Sequence, residues 1–135
     1  MISQRTAPYA ALLLRLTLGS LFIAHLYWKF AVRGFDQWWD GLHASGYPTI
    51  VVIYVLSAEF AGALLLIPGV FTRLVCLYAL PLMVGASHFW LTRNGFFFTA
   101  SGAELPIIWG IGLIIQALLG DGPYAVTSRS RKSSW

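Results

Sequence analysis

Residues 8–30 read PYAALLLRLTLGSLFIAHLYWKF, an apolar stretch broken by only three basic side chains, Arg15, His25 and Lys29. About 20 mainly apolar residues at 1.5 Å rise cross the ~30 Å hydrocarbon layer of a bilayer, so the stretch reads as a spanning helix. Three more such stretches follow. Residues 48–67 carry Glu59 as their only charge, residues 74–91 contain His88, and residues 104–119 form the shortest. The last is expected to borrow part of Phe96-Phe97-Phe98-Thr99-Ala100 to reach the interface.

The composition agrees. The chain has 135 residues, enough for one domain, of which 58% are hydrophobic and 10% charged. Ordinary soluble domains are about 25% charged, and a small soluble chain needs polar side chains to cover its large relative surface. A soluble monomer is thereby excluded. So is a disordered segment, which needs low hydrophobicity and high charge. The single cysteine, Cys76, excludes an internal disulfide framework and any CxxC motif. The net charge of +4 includes Arg129, Arg131 and Lys132 near the C-terminus. That basic tail, residues 124–135, reads as cytoplasmic and lipid-facing rather than as a nucleic-acid contact.

Pro8, Pro48 and Pro106 fall where first turns are expected, and a missing amide costs nothing there. Pro68-Gly69, Asn94-Gly95 and Gly120-Asp121-Gly122-Pro123 mark turns. Pro81 should kink the third span. Short connections make successive helices antiparallel, which predicts an all-α membrane protein with four transmembrane helices in an up-down-up-down bundle. Ala58-x-x-x-Gly62, Gly85-Ala86 and Gly110-x-Gly112 should let helices approach closely. No internal repeat or linker divides residues 1–135.

Between spans one and two, Phe35, Trp38, Trp39 and Leu42 share one helical side, with Asp36, Gln37, Asp40 and His43 largely on the other. This predicts a short amphipathic helix in the interface, either an anchor or a lid. Arg15 interrupts any signal-peptide core, so cleavage is not expected. Arg5, Arg73 and the basic tail on one side outweigh Lys29, Arg33 and Arg93, offset by Asp36 and Asp40, on the other. Both termini are expected in the cytoplasm, with loops 31–46 and 93–103 outside.

Ionisable groups inside spans need partners or a wet cavity. Arg15 lies ~10 Å along an outgoing helix and Glu59 ~12 Å from the same side along its neighbour, so the two are expected to form a buried ion pair. At the outer end, His25 and Lys29 share a face of helix one, with His88 and Glu104 near the same depth. Trp28, Trp90 and Trp109 supply aromatic walls. The seven together predict a ligand pocket. Imidazole and ammonium groups donate to carbonyl oxygens, a carboxylate takes a proton, and indoles suit a flat ring. A quinone or quinol fits that chemistry. No HxxH or CxxC spacing points to a metal or haem, and no Walker, Rossmann or GxSxG pattern occurs.

The order His25-x-x-x-Lys29, Gly46-Tyr47-Pro48, Glu59, Gly69-x-x-Thr72-Arg73, Asn94-Gly95-Phe96 and Gly102-x-Glu104-x-Pro106 resembles the DoxX family over roughly residues 9–122. The resemblance implies a small four-span protein of the bacterial inner membrane. It implies kinship with the membrane subunit of a thiosulfate:quinone oxidoreductase and with oxidative-stress complexes. Arg15, His25, Lys29, Glu59 and Glu104 match the family pattern. Leu26 departs from it where a glycine often follows the histidine, and Phe97-Phe98 departs where a more polar run is common.

Three functions fit these features: a quinone-interacting redox subunit, a non-catalytic membrane scaffold or assembly subunit, and a carrier for a small solute or proton. Carriers usually show repeats or broken helices, which disfavours the third. Lacking a redox cysteine pair, a redox subunit would be a quinone-linked oxidoreductase component that needs a partner subunit, soluble or membrane-bound, to deliver electrons. Besides that subunit, the expected partners are the lipid bilayer and further copies of the chain, not nucleic acid.

Overall fold

The apolar run that opens the chain becomes helix α1 (Ala7–Tyr27) and continues without a break through a π-helical turn (Trp28–Arg33). The computed structural model describes residues 5–97, 99, 102–122 and 125–126. Phe98, Ala100, Pro123 and the basic residues Arg129, Arg131 and Lys132 lie outside the described residues. Gly34, at φ 92°, turns the chain sharply into α2 (Phe35–Ala44), a conformation that favours a residue without Cβ. Helices α3 (Thr49–Leu65), α4 (Thr72–Asn94) and α5 (Glu104–Leu119) follow.

α1 packs against α3 and α5, and α4 packs against the same two, so α1 and α4 take opposite corners of a four-helix bundle. Its core is built from Leu18 and Phe22 of α1, Ala58 and Ala63 of α3, Cys76, Ala79 and Met83 of α4, and Trp109 and Leu113 of α5. The outward faces are apolar as well: Leu13, Ile50, Leu64, Leu74, Ile108 and Leu118 are all exposed. Helices that are apolar all round match a lipid surrounding. The runs Ala7–Arg33 and Thr72–Asn94 are long and apolar enough to cross a membrane, with under a third of their apolar windows buried; α3 and α5, at 17 and 16 residues, are shorter apolar helices.

The small residues set the helix spacing. Phe22 lies flat against Gly62, where a Cβ would come within 2.3 Å of its ring. A Cβ on Gly110 would be 3.3 Å from Met83, and one on Gly112 3.2 Å from Leu18. Gly85 differs from expectation: it meets nothing within 4 Å and faces outward. A glycine in a span marks a close approach only on the packed side of its helix.

One further expectation changes. The segment after α4 does not lengthen α5. α5 begins at Glu104, and among the described residues before it the Ala103 amide donates to the Gly95 carbonyl (2.9 Å) and the Glu104 amide to the Phe96 carbonyl (2.8 Å). Closing its own backbone bonds removes the need for helix there. α4 runs as one assigned helix through Pro81, and the neighbouring α3 supplies a hydrogen-bonding partner at the interrupted turn. The Tyr54 hydroxyl accepts the Leu82 amide at 3.1 Å and donates to the Tyr78 carbonyl at 2.5 Å.

α2 packs on the π-helical turn and on α3. Its Trp38 is buried while Asp36, Gln37 and Asp40 are exposed, the predicted amphipathic division.

Candidate functional site

The register between α1 and α3 decides which charges meet. Gly19 lies against Leu66 and Ile67, Phe22 against Gly62, and Arg15 against Gly69. By continuation Glu59 stands level with residues 25–26 of α1, about ten residues or roughly 15 Å from Arg15. Side chains also lean toward the N-terminus of their own helix. In this antiparallel pair Glu59 leans toward the α2 end of the bundle and Arg15 leans away from it. The expected Arg15–Glu59 pair is therefore absent. Lys29, one turn beyond Glu59, leans back along α1 and forms the ion pair with Glu59, both side chains only 7% exposed.

Trp38 of α2 covers this pair from outside. Its ring centroid is 4.6 Å from Lys29 Nζ, a cation–π contact that shields the ammonium. Phe30 stacks on Phe35 at 5.1 Å and holds α2 down. The same two turns of α1 present His25, whose ring meets Trp109 edge-on at 4.6 Å between centroids. Phe22 meets Trp109 at 4.8 Å and forms the floor below. His25 Nδ1 lies 2.9 Å from the Leu21 carbonyl, which can only accept, so this nitrogen donates. In the neutral ring Nε2 is then an acceptor. Two buried polar atoms of the cluster have no protein partner among the described residues: Glu59 Oε2 and Trp109 Nε1. Buried polar atoms are normally satisfied, so this acceptor and this donor call for a ligand or water.

Of the seven residues predicted to line a pocket, the structure gathers His25, Lys29 and Trp109 at one end of the bundle, together with Glu59. His88 is exposed on α4, across the diagonal from α1. Trp90 packs on its neighbour Phe89, and Trp28 lies under Arg33 at 5.7 Å. Glu104 is half-buried at the start of α5, five residues before Trp109. Equal depth along a helix places a residue at the right level but says nothing about which side of the bundle it faces.

Arg15 works at the opposite end. Its Nη1 donates to the Asp121 carbonyl. Asp121 Oδ1 in turn accepts the Thr72 amide at 3.1 Å, in the first turn of α4. Gln116 Nε2 donates to the Gly120 carbonyl at 2.8 Å. Gly120-Asp121-Gly122 was legible as a turn, but not its use as a clasp across three helices. Trp38 was also missed as a site residue, although its place on the apolar side of α2 was the available signal.

Among the described residues no group of three or more His, Cys, Asp or Glu side chains could hold a metal ion. Among protein families, the DoxX model matches residues 10–93 of the chain. No curated protein and no solved structure matches it. The family match and the apolar helices together make this a membrane protein.

Proposed function

The chain belongs to the DoxX family, and from that premise we propose that it is a quinone-interacting membrane subunit whose ring site lies at the α2 end of the bundle. The observation that carries this reading is the buried Lys29–Glu59 pair beside the His25–Trp109 contact, with one acceptor and one donor left open. Ionisable groups within an apolar bundle mark functional positions by default. Trp109 and Phe22 form the buried aromatic floor of this end of the bundle. Glu59, His25 and the Trp109 N–H supply polar contacts, and Glu104 near the rim exchanges protons with water. α2, entered through Gly34, acts as a lid with Trp38 as its plug.

In this reading α1, α3, α4 and α5 all span a bacterial inner membrane. Both termini are cytoplasmic and α2 lies in the periplasmic interface, as the Lys and Arg distribution favours. Electrons reach the ring from a partner subunit, since Cys76 is buried and alone. Association of further copies within the membrane also belongs to this reading.

The test is thermal unfolding of the purified chain in detergent. A short-chain quinone/quinol pair should raise the melting temperature by mass action. His25→Ala should abolish the shift while leaving the protein folded. No shift at any concentration would defeat the proposal and favour a scaffold role. Strong activity of a periplasm-dependent reporter fused to the C-terminus would defeat the orientation.

A further inference from the structure

We infer that the segment after α5 is a releasable strap: it closes the end of the bundle opposite α2 over the buried Arg15, and it opens without the bundle unfolding. The inference goes beyond the ring site and does not depend on it. The described residues of the segment are Gly120–Gly122 and Ala125–Val126. They tie α5 to α1, to the turn between α3 and α4, and to α4. Gly120 lies against the Arg73 side chain, and its carbonyl accepts from Gln116 Nε2. Asp121 accepts the Arg15 guanidinium on its carbonyl and the Thr72 amide on its carboxylate. Gly122 sits on the first turns of α1, where a Cβ would be 3.0 Å from Ala11 and 3.3 Å from the Pro8 carbonyl. Ala125, fully buried, packs on Gly69, and the Val126 amide donates to the Pro68 carbonyl at 2.9 Å.

Beneath these residues lie Arg15, Thr72 and Gln116, each at most 1% exposed. A polar layer at the end of an apolar bundle needs either water or a cover, and the strap is the cover. What holds it is small and polar. Among its described residues the strap buries no apolar side chain larger than alanine, and Val126 is 54% exposed. The helices below interlock through Leu18, Leu66, Cys76 and Leu113. Segments held by few apolar contacts open locally at a lower free energy than the core they cover. Release turns Arg15, Thr72 and Gln116 to water and gives this end of the bundle a polar mouth that the closed form lacks.

The experiment is alkylation of the full chain in detergent by a charged, water-soluble maleimide. Thr72→Cys/Cys76→Ala places a single thiol directly under the strap. Thr72 Oγ1 has no hydrogen-bond partner among the described residues, so the exchange removes no bond. The natural chain is the second reporter, since its one cysteine, Cys76, is buried in the core one turn deeper along α4 and reacts only if the bundle itself opens. Both thiols should react slowly, with position 72 the faster. Ala125→Gln is too large for the space against Gly69 and should displace the strap. It should raise the rate at position 72 on the order of tenfold or more, as expected where rate follows the open population, and leave Cys76 unchanged. Gly122→Ala, which crowds Ala11, should act in the same direction. If the thiol at position 72 does not fold, hydrogen exchange of the natural chain replaces it: the Thr72 and Val126 amides should exchange together and ahead of the Ala79 amide in the core. Reaction at position 72 as fast as in the denatured chain would mean that nothing covers it. An unchanged rate in both strap variants would mean that the segment is not the cover. Equal acceleration at position 72 and Cys76, or exchange of the Thr72 and Val126 amides only together with Ala79, would mean that strap and bundle open as one, and each of these results overturns the inference while leaving the ring site untouched.

Discussion

Tyr54 of α3 is hydrogen-bonded into the backbone of α4 at Leu82. In a regular helix the Leu82 amide would donate to the Tyr78 carbonyl four residues back. Here the Tyr54 hydroxyl stands between them, accepting from one and donating to the other. Pro81 opens the gap, since its ring displaces the preceding turn. The Tyr78 ring lies edge-on to Tyr54 at 5.2 Å, and its hydroxyl is 2.6 Å from Ser57 Oγ. A side chain inserted into the helical ladder thus joins α3 to α4 and closes the backbone bonds that lipid could not satisfy.

Tyr54→Phe should destabilise the protein by about 1–3 kcal/mol, the cost of leaving buried polar groups unsatisfied. In a Pro81→Ala background the same change should cost less, because the regular ladder can re-form. A double-mutant cycle by thermal unfolding in detergent measures the coupling, and strict additivity would exclude the inserted hydroxyl.

Loss of either partner of the Lys29–Glu59 pair should cost about 3–5 kcal/mol, while Lys29→Met/Glu59→Leu should be milder. Arg15→Met combined with Glu59→Leu should be additive within about 0.5 kcal/mol, as expected for sites more than ~7–10 Å apart. Strong coupling between Arg15 and Glu59 would contradict the register described above.

Asp121→Ala should lower stability by about 1–3 kcal/mol, the cost of leaving the part-buried Thr72 amide without its acceptor, with Asp121→Asn less harmful because an amide oxygen can accept the same bond. Unfolding midpoints of the two variants in detergent provide the comparison. Equal losses would mean that the negative charge matters and the hydrogen bond does not.

Two glycines should behave oppositely. Gly62→Ala drives a methyl group into the Phe22 ring and should cost about 1–3 kcal/mol. Gly85→Ala meets open space and should be neutral or stabilise by up to ~1 kcal/mol, the intrinsic helix preference of alanine. Thermal melts of both proteins check the contrast, and a large loss at Gly85 would point to a close neighbour on that face.

The sequence by itself determined the helices, the turns and the amphipathic α2, because these follow from local properties. Apolar run length sets a span, Gly95 and Gly120 stop helices by accepting positive φ, and the spacing of Phe35, Trp38 and Leu42 sets one face. It also grouped His25, Lys29 and Trp109, which the structure brings to the same end of the bundle. Only the tertiary structure decided that Glu59 meets Lys29 instead of Arg15, that His88 stays outside the cluster, and that Asp121 clasps three helices. Partner choice depends on how far two helices slide past one another and which way each is turned. That is set by contacts such as Phe22 on Gly62, made between residues far apart in the chain, and by the opposite lean of side chains on antiparallel helices. Depth along a span can be counted from a sequence; the slide and the rotation arise only when the helices pack.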